Sequence, residues 1–225
     1  MRYYPVFLNL EGKACLVVGA GQVGRRKVAT VLDCGVGSVV VVDTRPPDED
    51  FAPLLANPRL SYETRAFAES DLDGAFLVIA STSNEELNWR ISRLCAERGL
   101  LCNIVDQPEK CSFIVPAMYT QGDLTLAIST GGTSPALAKK MRKEMVEHFG
   151  AEYGTFLTLM SRLRPLVLDL DHPTEANTVL FRSIVDSGVL QALRDKDQAR
   201  AESLLAALLP ESLRPNIPEL VHGLL

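Results

Sequence analysis

The chain contains no run of about 20 uninterrupted apolar residues, so a membrane-spanning helix is not expected. Its opening residues, Met1-Arg2-Tyr3-Tyr4-Pro5, lack the apolar core of a secretory signal. It has no basic excess; the formal net charge is −5, which argues against general nucleic-acid binding. There are 5 cysteines, an odd number with no C-x-x-C pair and no zinc-ligand spacing. They are expected to be reduced thiols of a cytoplasmic protein, with Cys15 and Cys34 inside buried elements, and no metal ligand set is expected. No internal repeat or low-complexity segment is present. What remains is 225 residues, 47% of them hydrophobic, enough for one large domain or two smaller ones with real cores.

The first part of the chain alternates strand and helix signals. Strands are expected at 6–9, 14–18, 38–42, 60–62, 76–80, 101–105 and 113–115, and helices at 22–34, 50–56 and 84–98. Gly35 stands where a left-handed cap would close the first helix, and Asn84 where a side chain would open the third. The run Phe76-Leu77-Val78-Ile79-Ala80 is continuously apolar, as suits a strand covered on both faces. This β-α-β alternation predicts an α/β doubly wound parallel sheet. After Pro116 the pattern changes. A strand over 124–129 and a helix over 136–149 form a small α+β piece, and only helices follow, at 152–170, 174–187, 189–193 and 196–208. Pro165 is expected to kink or split the first of these. The expected parts are 1–115, 116–150 and 151–225.

The strongest local signal is Gly19-Ala20-Gly21-Gln22-Val23-Gly24, a G-x-G-x-x-G directly after the strand Cys15-Leu16-Val17-Val18 and at the start of a helix. Glycines there permit a tight turn and close approach of a pyrophosphate, while the helix offers unpaired N–H groups and a positive dipole end. The sheet is therefore expected to be Rossmann-like. Asp43, 19 positions after Gly24, ends the next strand, where a carboxylate accepts hydrogen bonds from a ribose and repels a 2′-phosphate. NAD is thus favoured over NADP, a preference that Arg45 weakens. Gly19, Gly21, Gln22, Val23, Gly24, Asp43 and Thr44 are the expected cofactor contacts. Arg25, Arg26 and Lys27 crowd the helix start, either offsetting phosphate charge or forming a solvated basic face.

Ser81 and Thr82 lie at a strand's carboxyl end, where ligands of open α/β sheets bind. They either leave room for a nicotinamide ribose or serve helix capping beside Asn84, and the two readings are compatible. Asp106, in Cys102-Asn103-Ile104-Val105-Asp106, is a candidate acid or base or else a turn residue; Lys110 and Cys111 share its loop. Ser129-Thr130-Gly131-Gly132-Thr133-Ser134-Pro135 precedes a helix carrying Lys139, Lys140, Arg142 and Lys143. This is either an anion-binding nest suited to a polycarboxylate or an ordinary capped helix with a solvated face.

These motifs, with Pro5-Val6-Phe7, Gly12-Lys13 and Ser112-Phe113-Ile114-Val115-Pro116-Ala117, occur in the order that resembles the siroheme synthase N-terminal module family, the precorrin-2 dehydrogenases that in some members are also sirohydrochlorin ferrochelatases. The resemblance spans about residues 3–150. It implies NAD-dependent oxidation of precorrin-2, a tetrapyrrole, to sirohydrochlorin. It also implies a homodimer interlocked through the middle and C-terminal regions, so that 116–150 becomes a dimerisation and substrate region, with the active cleft between the two parts. Asp106 matches the family's key aspartate. Asn103 and Ser129, Thr130, Gly131, Gly132, Thr133 and Ser134 fall in the segments expected to meet substrate. Thr130 stands where one branch has a serine that can be phosphorylated, a departure that speaks against that regulation. Iron insertion stays open, since His148, His172 and His222 all lie outside the matching motifs. A methyltransferase domain fused in some members is not expected within these residues. The rival expectation is a regulatory Rossmann module that senses NAD without catalysis.

Overall fold

The structure is a computed structural model that describes residues 3–105 and 107–224. The chain divides into two compact units, Met1–Val115 and Pro116–Leu225.

The first unit is a five-stranded parallel sheet. Its strands are β1 (Ala14–Val18), β2 (Ser38–Asp43), β3 (Leu60–Thr64), β4 (Leu77–Ala80) and β5 (Leu101–Ile104), in the order β3-β2-β1-β4-β5. Alternation along the strands builds two cores, one per face. Cys15, Val17, Val39, Val41, Leu77 and Ile79 point to one side, where Val28, Val31 and Leu32 of helix α1 (Gln22–Asp33) cover them. Leu16, Val18, Val42, Val78 and Ala80 point to the other side, under Ile91 and Cys95 of helix α2 (Glu85–Glu97). Val17 and Val78 are fully buried, and each such side chain contributes about 1.5–3 kcal/mol relative to exposure. A charge at either position would therefore break the sheet core.

Both helices end in the same way. Gly35 takes φ +75° while its N–H and that of Val36 reach back to the Leu32 and Val31 carbonyls. Gly99 at φ +67° and Leu100 repeat the arrangement on α2.

Several expectations change in this unit. Residues 6–9 form no strand; Val6, Phe7 and Leu8 are exposed instead. Residues 113–115 also pair with no strand. The expected helix at 50–56 is a 3-10 helix over Ala52–Ala56, short and carrying Pro53 in its first turn. Cys15 is buried, and burial pushes its thiol pKa up to about 12. Cys34 is exposed, contrary to expectation, because it caps α1 beyond the last sheet-facing position.

The second unit begins with an antiparallel hairpin of β6 (Ala117–Gln121) and β7 (Leu124–Ile128) and continues with helix α3 (Pro135–His148). Five more helices follow: α4 (Ala151–Leu168), α5 (Thr174–Val185), α6 (Val189–Arg194), α7 (Gln198–Leu208) and α8 (Ile217–Val221). Their core is built on Leu159, Leu163 and Val167, one stripe of α4, with Ile184, Val189, Leu193, Leu205 and Leu220 around it. That stripe runs past Pro165, so α4 continues to Leu168 rather than splitting there. The hairpin turn packs directly on α4. A Cβ on Gly122, itself at φ +56°, would lie 3.2 Å from the Gly154 Cα, and one on Gly154 would lie 3.1 Å from the Gln121 carbonyl oxygen. No helix among the described residues is long and apolar enough to cross a membrane.

Candidate functional site

The sheet delivers its functional loops side by side. Beyond the strand ends the parallel ladder continues: Gly19 N–H donates to Val42 O at 2.9 Å, Ser81 N–H to Val18 O at 2.8 Å, and Val105 N–H to Ala80 O at 3.1 Å. The loops after β1, β2, β4 and β5 therefore share one edge. The chain order reverses around β1, between β2 and β4, which is where open α/β sheets leave a crevice. A cleft of about 880 Å³ occupies it.

Of the sequence-predicted cofactor residues, Gly19, Gly21, Gln22, Val23, Asp43, Thr44, Ser81 and Thr82 all line this cleft. The three glycines differ in what they allow. Gly19 has φ +97°, and a Cβ there would sit 2.8 Å from the Ser81 backbone. A Cβ on Gly24 would sit 2.0 Å from Gly19 O, so Gly24 brings α1 against the loop rather than facing the cleft. Gly21 has nothing within 4 Å of such a Cβ, and only a ligand would be obstructed by one. The start of α1 has no side-chain cap and no acidic residue in its first turn. The start of α2, in contrast, is closed by Asn84 accepting from Leu87 N–H at 3.0 Å. An uncapped helix start beside a Cβ-free wall fits a dinucleotide pyrophosphate.

Asp43 stands in the cleft at the end of β2. Its Oδ2 accepts from Ala20 N–H at 2.6 Å and its Oδ1 from Arg45 N–H at 2.9 Å. A carboxylate has about four acceptor positions, so two remain for a ribose. Arg65 also lines the cleft, but it is engaged elsewhere: it makes a two-pronged pair with Asp71 at 2.8 and 2.7 Å, and its Nε donates to Glu63 at 2.7 Å. Those hydrogen bonds raise the Arg65 pKa, and the Arg65 guanidinium holds the Asp71 carboxyl below its ordinary range. Arg25, at the start of α1, pairs with Asp50 at 2.6 Å.

Ser81 and Thr82 act as architecture as well as lining. The Ser81 hydroxyl donates to Gly19 O at 2.8 Å and fixes the glycine loop. The Thr82 hydroxyl donates to Asn88 Oδ1 at 2.7 Å, and Asn88 Nδ2 donates back to Thr82 O at 2.9 Å. Sequence reasoning missed Asn88. Its signal is a polar side chain on the sheet-facing stripe of α2, three positions before the buried Ile91. Gln107 was missed as well. It lines the cleft, with its Oε1 accepting from Trp89 Nε1 at 3.1 Å and Lys110 Nζ at 2.8 Å.

Asp106 lies outside the described residues. Asn103 has a task beyond the one expected. It is buried, and its Nδ2 donates to Phe113 O at 3.1 Å, tying β5 to the segment that follows. The structure thus gives Asn103 a structural role beside the substrate contact that the family resemblance implies.

Ser129, Thr130, Gly131, Gly132, Thr133 and Ser134 belong to the second unit, between β7 and α3. Gly131 and Gly132 have φ +63° and +87°. The loop uses much of its own donor capacity: Gly131 N–H donates to Ser129 Oγ at 3.1 Å, Thr133 N–H to Thr130 O at 3.1 Å, and Ser134 N–H to Thr130 Oγ1 at 3.2 Å. Ser134 caps α3, accepting from Leu137 N–H at 3.3 Å, with Pro135 in the first turn. The segment is therefore a capped turn that satisfies the Gly131, Thr133 and Ser134 N–H groups itself.

Two family models match the chain: one described as "Putative NAD(P)-binding" over residues 6–117, and one described as "Sirohaem biosynthesis protein central" over residues 121–148. A siroheme synthase of Thioalkalivibrio sulfidiphilus is 35% identical over 209 residues, covering 92% of this chain and 42% of the relative. One from Methylobacillus flagellatus is 36% identical, covering 92% and 44%. The chain spans less than half the length of these curated relatives. Among solved structures, SirC, a precorrin-2 dehydrogenase, matches with a TM-score of 0.75 at 23% identity, covering 92% of this chain and 98% of that one; at this identity the match speaks for the fold. With its glycine-loop cleft in the first unit and its central segment in the second, the chain belongs to the siroheme synthase N-terminal module family.

Proposed function

We propose that the protein oxidises precorrin-2 to sirohydrochlorin with NAD. The observation that carries the reading is the uncapped start of α1 beside Gly21 and Asp43, joined in one chain to the sirohaem-biosynthesis central segment. NAD, when bound, supplies the hydride acceptor. Gln22 and Val23 present backbone N–H groups to its pyrophosphate, and Asp43 accepts from the adenosine ribose. Asp43 disfavours a 2′-phosphate, and Arg65 is already spent on Asp71 and Glu63. Ser81 and Thr82, pinned by Gly19 O and Asn88, form the wall on the nicotinamide side.

The substrate loses a hydride and a proton. Asp106 is the proposed proton acceptor. Much of the rate comes from holding donor and acceptor carbons together, because aromatisation of the macrocycle supplies driving force. The eight carboxylate arms of the substrate suit Lys139, Arg142 and Lys143 of α3, which are exposed, together with the hydroxyl-bearing turn before them. We assign the protein to a homodimer, a reading favoured by the exposed Leu137 and Met141 one turn apart on α3. We infer the cytoplasm as its compartment, since free thiols are kept reduced there.

The test is anaerobic incubation of the protein with precorrin-2 and NAD, followed by absorbance. The sirohydrochlorin spectrum should appear together with NADH. A folded protein that binds NAD and leaves precorrin-2 unchanged would be a sensor, and the proposal would fall. Asp106→Ala should cut turnover by about 10²–10⁴-fold with NAD affinity retained, and a wild-type rate would remove Asp106 from the mechanism. Adding Fe²⁺ to sirohydrochlorin with and without protein tests chelation separately.

A further inference from the structure

A second cavity lies wholly within the helical part of the second unit. It has a volume of about 420 Å³, within the range of small-molecule sites, and sits between α4 and α5. On α5 the residues Asn177, Thr178, Phe181, Arg182 and Val185 recur at helical spacing and share one face, with Asp186 just beyond the helix end. Across the groove stand Arg164 and Leu168 of α4.

Asn177 is the unusual member. It is only 8% exposed, yet its Oδ1 meets no hydrogen-bond donor among the described residues. Buried polar atoms are normally satisfied, and this one lies behind the cavity wall to which Asn177 belongs. The neighbouring hydroxyl does not reach it, because Thr178 donates to Thr174 O at 2.9 Å.

The charges point the same way. Arg164, Arg182 and Asp186 all line the cavity, and none makes an ion pair among the described residues. The Arg164 guanidinium lies 5.2 Å from the Phe181 ring centroid, which leaves its N–H edge for an anion. Leu168, Phe181 and Val185 supply an apolar wall, and Leu168 and Val185 are more than half exposed without an occupant. Inorganic phosphate would satisfy the arginines but would oppose Asp186 and leave the apolar wall uncovered. A metal cation would meet two guanidinium groups. A fitting ligand carries a carboxylate, a cationic N–H donor and a short apolar body.

We propose that the α4–α5 groove binds an apolar α-amino acid. Its carboxylate faces Arg164 and Arg182, its ammonium faces Asp186, and its side chain lies on Leu168, Phe181 and Val185. The site does not depend on the proposed oxidation, since its residues all belong to the second unit.

The experiment is calorimetric titration of the full chain with L-leucine, L-methionine and L-phenylalanine. Two truncated probes accompany them: 4-methylpentanoate, which lacks the ammonium of leucine, and isopentylamine, which lacks its carboxylate. At least one amino acid should bind at one site per chain. For leucine, each truncated probe should bind roughly tenfold or more weakly, the scale of one lost charge-assisted hydrogen bond. Arg182→Met and Asp186→Asn, both at exposed positions, should weaken amino-acid binding by a similar factor while circular dichroism and NAD titration stay unchanged. Absence of binding by all three amino acids into the millimolar range would overturn the proposal. So would 4-methylpentanoate binding as tightly as leucine, or either variant binding like wild type.

Discussion

At the scale of single residues, Asp43 has a structural role beside the ligand role proposed for it. Its carboxylate faces the cleft while accepting N–H groups from Ala20 and Arg45. Asp43→Asn keeps one acceptor oxygen and removes the charge, so the ratio of NADP to NAD affinity should rise by roughly tenfold, the equivalent of about 1.4 kcal/mol. Fluorescence titration with NADH and NADPH measures this, and an unchanged ratio would refute the selectivity assigned to Asp43.

The glycines make a sharper pair. Gly24→Ala forces a Cβ to 2.0 Å from a backbone oxygen and should cost about 3 kcal/mol or more in denaturant melts. Gly21→Ala meets no protein atom at an ordinary φ of −63°, so stability should stay within about 0.5 kcal/mol. NAD binding should nevertheless drop. If Gly21→Ala binds NAD normally, the pyrophosphate does not lie against that wall.

At the scale of elements, α4 and α6 are tied by Arg194, whose Nε and Nη2 both donate to Glu152 Oε1, at 3.0 and 2.7 Å. Burial is the largest single influence and raises the Glu152 pKa, but the Arg194 hydrogen bonds and charge, together with backbone hydrogen bonds at Glu152 and Gly150, outweigh it and hold the carboxyl below its ordinary range. A depressed carboxylate pKa stabilises the fold above the unfolded value, about 4.3, and that contribution disappears as pH falls through the folded value. Arg194→Met should therefore lower the melting temperature at pH 7, and the gap from wild type should close below about pH 4. A gap that persists under acid conditions would mean that Arg194 stabilises by packing alone.

Legibility also differed by element. The parallel strands were readable because Cys15–Val18 and Leu77–Ala80 are apolar on both faces and are bounded by glycine or hydroxyl residues. β6 was not expected, since Ala117–Gln121 is mostly half-buried and shows no clean alternation. Residues 6–9 misled in the opposite direction: they are apolar in sequence but lack a partner strand. The 3-10 helix Glu211–Asn216 and α8 escaped because Pro215 and Pro218 interrupt their periodicity. In the site, the glycine loop and Asp43 were legible from spacing. Asn88 and Arg65 were not, because their partners, Thr82 for the first and Glu63 and Asp71 for the second, are local but form no recognisable spacing motif, and only the folded turns bring the side chains together.

At the scale of the whole molecule, each unit has a core of its own, two sheet faces in the first and the α4 stripe in the second. Every residue lining the glycine-loop cleft belongs to the first. A fragment of residues 1–115 should therefore fold and bind NAD, measurable by circular dichroism and NADH fluorescence, while leaving precorrin-2 unoxidised. A fragment that is folded but unable to bind NAD would contradict the assignment of the cofactor site to this unit. The contact of Gly122 with Gly154 has a consequence for exchanging parts between relatives. The central segment matched by its own family model ends at 148, six positions short of Gly154. A chimera cut there inherits one half of a backbone fit and leaves the other behind. If the recipient has a side chain opposite Gly122, its hairpin would be pushed off the helix, so a working graft should carry residues through at least 154.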